Sequence, residues 1–257
     1  MKKRIIPSIL LRGGTNVSIS QKFTPWRTVG ALAQQLRLHV SRECDELLII
    51  NTDLAGSSKF NCPQRLLKLV RQEVNIPIAY AGGISSPADA AACINAGFDK
   101  IYVTAMFLDN PSSVAAIASA IGTQSTGICL PYSRSTFGSI PTIWDYRISS
   151  IRDNMNLFDT MGLAVAVGAG ELLLYNVDLD GSLQGLDLLL LGELENRSFR
   201  IPLLMAGGAG APEHFSSALN NSLIQGIVAG SIFSLTQETP STIRSHCKQS
   251  NIAMRNP

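Results

Sequence analysis

Glu46-Leu47-Leu48-Ile49-Ile50-Asn51-Thr52-Asp53-Leu54 returns later in the chain as Glu171-Leu172-Leu173-Leu174-Tyr175-Asn176-Val177-Asp178-Leu179. Glu46 and Glu171, Asn51 and Asn176, Asp53 and Asp178, and Gly56 and Gly181 all stand 125 residue numbers apart. A second motif keeps the same offset: Ile76-Pro77-Ile78 with Ala81-Gly82-Gly83, against Ile201-Pro202-Leu203 with Ala206-Gly207-Gly208. Two motifs in one order at one spacing imply a duplicated half.

Working outward, the chain reads as eight short apolar runs, each followed by a helical segment. The runs fall at 4–10, 46–52, 77–81, 100–104, 126–130, 171–176, 202–206 and 226–229. They are nearly continuous in Val, Ile and Leu, as strands of a parallel sheet covered on both faces are. Helices are expected at 29–42, 63–74, 87–96, from Asn110-Pro111-Ser112 onward, up to 167, and at 187–197, 212–220 and 240–249. Pro63 suits a first helical turn, Ser86 an N-cap and Gly97 a C-terminal stop. Stretch 131–146 reads as a long polar loop. Eight β/α alternations with an internal repeat predict a single (β/α)8 TIM barrel over 1–257, with half-barrels at 1–122 and 123–250.

Composition narrows the function. Apolar residues are 46% and charged ones only 16%, ample for a large core. A net charge of +2 gives no basic surface for nucleic acid and no membrane electrostatics. The basic start Lys2-Lys3-Arg4 leads into an apolar run too short for a signal peptide, ending at Arg12-Gly13-Gly14. The longest candidate membrane span, 161–175, is broken by Gly168 and Gly170. Five scattered cysteines without a C-x-x-C pair point to reduced thiols in a cytoplasmic protein. Three histidines without ligand spacing leave no metal site, and no cofactor motif is present.

In such a barrel the loops after the strands build the site. Gly181, Gly207-Gly208 and Gly230-Ser231 follow strands 6, 7 and 8, where exposed backbone N–H groups and helix N-termini suit a phosphate. The other reading is tight βα turns. Gly82, Gly83 and Thr104 are the weaker first-half equivalents. Asp53, Asp178 and Asp180 are the carboxylates near the mouth. Asp53 and Asp178, facing each other across the pseudo-twofold, suit acid–base work as a pair, and capping of loop N–H groups is the alternative. Asn51 and Asn176, at strand ends, are expected to point into the mouth. At the opposite end Arg4, Glu46, Lys100 and Glu171 open strands 1, 2, 4 and 6. They form either a salt-bridged ring or solvated strand ends.

Taken together, these residues resemble the cyclase subunit of imidazole glycerol phosphate synthase, of histidine biosynthesis. The resemblance runs from Lys3-Arg4-Ile5-Ile6 to about Phe233. It rests on Asp45-Glu46-Leu47, Ala81-Gly82-Gly83-Ile84, Gly97 with Asp99-Lys100, and Asn110-Pro111-Ser112. It continues in Gly168-Ala169-Gly170-Glu171, Asp178 with Asp180-Gly181, Ala206-Gly207-Gly208-Ala209-Gly210 and Ala229-Gly230-Ser231-Ile232-Phe233. It implies a duplicated barrel that binds a substrate with phosphates at both ends. It also implies a glutaminase docked at the base and ammonia drawn through the interior. Arg4, Glu46, Lys100 and Glu171 then match the gate, and Gly181, Gly207, Gly208, Gly230 and Ser231 the second phosphate site.

The positions of the family's two catalytic aspartates hold Leu10 and Pro131. Its loop-1 lysine falls at Ser18, and the Asn-Thr of its first phosphate site becomes Thr104-Ala105. Leu and Pro move no protons, so the original cyclisation is not expected. The opening Arg4-Ile5-Ile6-Pro7-Ser8-Ile9-Leu10-Leu11 is most similar to a divergent branch associated with acetamidino modification of surface-polysaccharide sugars. That branch also has Leu at the first aspartate, but it usually keeps the second. The implied role is an ammonia-passing synthase subunit beside a glutaminase and a separate sugar amidotransferase. The alternatives are a cyclase of histidine synthesis with replacement groups among Asp53, Asp178 and Asp180, a sugar-phosphate isomerase, and a non-catalytic phosphosugar scaffold.

Overall fold

Eight parallel strands close on themselves: β1 (Arg4–Arg12), β2 (Leu47–Asn51), β3 (Ile78–Ala81), β4 (Lys100–Val103), β5 (Thr126–Ser133), β6 (Glu171–Asn176), β7 (Leu203–Ala206) and β8 (Ile224–Ala229). Each pairs with its sequence neighbours, and β8 pairs with β1, so the barrel has no free edge. Helices follow the strands: α1 (Leu32–Ser41), α2 (Gln64–Glu73), α3 (Pro87–Ala96), α4 (Ser112–Ile121), α5 (Leu157–Ala166), α6 (Leu188–Glu195), α7 (Pro212–Leu219) and α8 (Pro240–Gln249). This is a (β/α)8 TIM barrel. The computed structural model describes residues 2–22, 24–54, 64–195, 197 and 199–256. Gly56, Cys62 and Pro63 lie outside the described residues.

Helix boundaries follow local chemistry. Ser86 Oγ accepts from Asp89 N at 3.1 Å, and Gly97 ends α3 in the left-handed region with φ of 110°. Asn156 caps α5 through Asp159 N, and Thr239 and Thr242 make a reciprocal box at the start of α8.

The period of two along each strand divides the apolar residues into two populations. Ile6, Leu48, Ala79, Tyr102, Cys129, Leu173, Tyr175, Leu204, Ala206 and Val228 cluster inside the barrel. The alternating residues, such as Ile5, Ile49, Tyr80, Ile128 and Leu172, pack outward against the helices in a larger cluster.

Two segments depart from the expected pattern. Between β1 and α1 the chain makes a hairpin, Asn16–Gln21 with Thr24–Ala31, paired onto the end of β1, so α1 begins only at Leu32. Between β5 and α5 the expected polar loop 131–146 carries strand Thr142–Asp145, paired onto an extended β5, and the start of the expected helix is instead a second strand, Ser150–Asn156, so α5 begins only at Leu157. Strand Asn16–Gln21 alternates Val17 and Ile19 with serines, whereas Thr142–Asp145 and Ser150–Asn156 lack a regular alternation and form by long-range pairing onto the barrel. One-turn helices at Ala105–Asp109 and Ser231–Leu235, also unexpected, follow β4 and β8 directly.

Candidate functional site

At the base, the first inward position of four strands is charged. Arg4 Nη1 donates to Glu46 Oε2 at 2.9 Å, and its Nη2 to Glu171 Oε1. Lys100 Nζ donates to Glu171 Oε2 at 2.6 Å, and Tyr102 Oη donates to the same oxygen. Exposure of the four charged side chains runs from 3% at Glu171 to 17% at Lys100, so this is a buried, neutral network rather than solvated strand ends. Burial works against the charge on Glu171, but Arg4 and Lys100 overcome it and hold its pKa below the ordinary carboxylate value. Burial wins at Glu46 and raises its pKa despite the same two cations. Beneath the ring, Asp45 accepts from Ile5 N at 2.9 Å and from Arg244 Nη2 at 2.9 Å, tying α8 to the start of β1.

Tyr102 stands one inward position above Lys100 on β4, with its hydroxyl on the Glu171 carboxylate of the ring. Its phenol lies across β5, where a Cβ on Gly127 would come within 2.5 Å of the ring. Only glycine there leaves room. Tyr102 is 3% exposed and forms, with Leu48, Cys129 and Leu173, the floor of a cavity of about 530 Å³ that opens at the mouth of the first half.

At the mouth of the second half, Gly181, Gly207, Gly208, Gly230 and Ser231 converge with Ser8 and Asp180 around a much smaller cavity of about 20 Å³. Gly207 and Gly208 take φ of 96° and 98°. A Cβ on them would run into the carbonyl oxygens of Asn176 and Gly185, so the backbone approaches the loops before it more closely than any side chain permits. The β1 hairpin leans over this cradle, with Lys22 N donating to Asp180 O at 3.2 Å. The first-half glycines Gly82 and Gly83 line the larger cavity with Thr104, whose hydroxyl donates to Cys129 O at 3.0 Å.

The carboxylates have other employment. Asp53 accepts from Gly13 N at 2.9 Å and Gly14 N at 2.8 Å, capping the loop after β1. Asp178 repeats this after β5, accepting from Ser133 Oγ and Arg134 N, both at 2.8 Å. Asp180 is buried and accepts from Tyr175 Oη at 2.8 Å. Asn51 and Asn176 do not point into the barrel. The inward positions are 46, 48 and 50 on one strand and 171, 173 and 175 on the other, so both asparagines fall on the outer parity. Asn51 accepts from Asp53 N and donates to Tyr80 Oη, and Asn176 accepts from Leu179 N and donates to Asp187.

Leu10 and Pro131 share the inward parity of Ile6 and Cys129. At these two positions the wall carries no titratable group. Burial pushes the thiols of Cys44 and Cys129 up to about 12 and that of Cys247 to about 11, which leaves them protonated and unreactive. Among the described residues no three or more His, Cys, Asp or Glu side chains gather as a metal site. No described helix is long and apolar enough to cross a membrane.

The sequence reading missed Tyr102, although counting two from Lys100 on an inward strand finds it. It also missed Lys22 and Arg147. Their positions depend on the hairpins, and no local pattern announces them.

Residues 4–239 match the family described as histidine biosynthesis protein. A Leptospira interrogans protein, provisionally named imidazole glycerol phosphate synthase subunit HisF, is 29% identical over 234 residues, 91% of this chain and 90% of the relative. The Campylobacter jejuni protein provisionally named imidazole glycerol phosphate synthase subunit hisF2 is 30% identical over 261 residues, 99% of each chain. The imidazole glycerol phosphate synthase subunit HisF of Streptococcus sanguinis is 29% identical over 235 residues, 91% of this chain and 90% of the relative.

Proposed function

The chain belongs to the histidine biosynthesis protein family as a HisF-like barrel, and from that premise we propose that it is the synthase-side subunit of a glutamine amidotransferase complex. A glutaminase docks on the base of the barrel and delivers ammonia through the ring of Arg4, Glu46, Lys100 and Glu171. The ring carries this reading. Four charges buried at the foot of an otherwise apolar barrel interior are a poor stability device, because hydrophobic residues of similar volume would do as well or better. Ammonia admitted there next meets Tyr102, and rotation of that phenol off Glu171 opens the way to the cavity above.

The mouth has a different history from the base. Leu10 and Pro131 supply no general acid or base, and Asp53, Asp178 and Asp180 are already engaged. Ring closure of the histidine-pathway kind is therefore not the reaction. The second-half cradle of Gly181, Gly207, Gly208, Gly230 and Ser231 holds a phosphate of the acceptor. By the resemblance of its opening segment, the chain serves amidine formation on a surface-polysaccharide sugar, with a separate sugar amidotransferase. The four described free thiols, all buried, fit a reducing cytoplasm.

The test is co-expression with the glutaminase from the same genome, followed by co-purification and measurement of glutamine turnover. A stable complex with stimulated turnover is expected, and Lys100→Ala or Glu46→Ala should uncouple the two. No complex and no stimulation would refute the proposal. Growth of a histidine auxotroph on this chain would restore the cyclase reading.

A further inference from the structure

The two halves of the mouth repeat each other in backbone but not in charge. In the second half the tip of the β1 hairpin brings Lys22 to the loop carrying Asp180 and Gly181. Lys22 is exposed and makes no ion pair among the described residues. In the first half the turn of the β5 hairpin brings Arg147 to the equivalent place, on the wall of the large cavity. Arg147 is fully engaged. It donates to Asp109 Oδ1 at 2.8 Å and to Asp145 Oδ2 at 2.8 Å, and Arg152 bridges the same two carboxylates at 3.2 and 2.6 Å. Two arginines thus meet two aspartates, and Asp109 itself stands in the cavity wall as a carboxylate.

Among the described residues, a phosphate entering the first half would meet no free cation, an Asp109 carboxylate and an Arg147 guanidinium already paired with each other, and a Thr104 hydroxyl already donated to Cys129 O. The rest of that wall is largely apolar: Ile50, Leu54, Ile84, Val103 and Met106. The space of about 530 Å³ is of the size that takes a small organic ligand, whereas the second-half cradle, at about 20 Å³, admits only a compact group.

We propose that the ligand of this barrel is a phosphate monoester charged at one end only, with an uncharged, ring-sized group filling the first-half cavity. This rests on the reading above that the second-half cradle takes the phosphate. It replaces the two-phosphate substrate that the resemblance implies with a ligand of a different class. Gly82, Gly83 and Thr104 then belong to the pocket of the neutral group and not to a second phosphate site.

Calorimetric titration of the full chain with inorganic phosphate, phenyl phosphate and 1,6-hexanediol bisphosphate tests this. One phosphate per chain is expected, with phenyl phosphate about tenfold tighter than inorganic phosphate because its ring leaves water. The bisphosphate should bind no more tightly than the phenyl ester. Ala105→Trp, which fills the cavity, should abolish the advantage of the phenyl ester and leave inorganic phosphate unchanged. Asp109→Asn, which removes the wall carboxylate and releases one side of Arg147, should raise affinity for the bisphosphate several-fold without altering that for inorganic phosphate. Two phosphates per chain, or a bisphosphate about tenfold tighter than the monoester, would overturn the inference and leave the cradle intact. Absence of any phosphate binding would bring down the cradle reading and this inference with it.

Discussion

Replacing Glu171 by Gln keeps the shape of the basal ring and removes one charge. The carboxylate now serves Arg4, Lys100 and Tyr102 together, while Arg4 retains Glu46 as a second partner. After the change, two cations that are 11% and 17% exposed share one carboxylate, and the single amide oxygen can accept from at most two of the three donors. Removing one partner of a buried pair costs about 3–5 kcal/mol. The low end applies here because Lys100 keeps some contact with solvent, so a loss of about 3 kcal/mol is expected. For a chain of this length that lowers Tm by about 6–12 °C, read by thermal melts and checked by urea unfolding. The pKa of Glu171 is lowered, so its contribution is present above the ordinary carboxylate range and disappears only as pH falls through the folded-state value. A loss under about 1 kcal/mol would mean that the ring behaves as a surface ion pair, and the buried-network argument would fail. The companion variant replaces all four charges together: Arg4→Met, Glu46→Leu, Lys100→Met and Glu171→Leu. Stability equal to or above the parent is expected, with glutaminase coupling lost. A large destabilisation would instead identify the ring as a structural plug.

The remaining predictions probe the supports of that ring and of the mouth. Gly127→Ala pushes a methyl into the Tyr102 phenol and should cost about 1–3 kcal/mol, but much less in a Tyr102→Ser background, where the phenol is gone; additivity of the two changes would refute the packing argument. Burial, with Arg42 beside it, lowers His39 to about 4 from 6.5, and its Nδ1 has no partner among the described residues. The unfolded chain therefore takes up this proton first, and about 3 kcal/mol of stability present above pH 6.5 should be lost as pH falls towards 4; His39→Leu should flatten that limb of the stability–pH profile, and an unchanged limb would clear His39. Asp53→Ala and Asp178→Ala should each cost about 1 kcal/mol, and because they cap loops on different strands their losses should add in urea titrations; a silent Asp178→Ala would mean that Ser133 and Arg134 need no cap.

The fold was legible because the barrel is written in short-range signals repeated at a fixed offset. Strands β2 and β6 carry near-continuous apolar runs, and Ser86 and Gly97 mark helix ends through contacts three or four residues away. The basal charges were legible for a related reason. Each opens a strand, and strands that open side by side in a closed barrel must bring their first inward residues together.

Tertiary structure alone decided the mouth. Hairpin 142–156 has no apolar alternation of its own and exists by pairing onto β5; hairpin 16–31 alternates Val17 and Ile19 with serines, but its place is set by pairing onto β1. With them come the placements of Lys22 and Arg147, and hence the charge difference between the two halves. The asparagines at 51 and 176 show the same division in miniature: their sequence placed them at strand ends, and the parity of the inward residues turned them outward. Composition, repeat and residue identity determined that this chain is a barrel with a charged foot. Contacts between segments far apart in sequence determined which mouth loops meet and which carboxylates are already engaged.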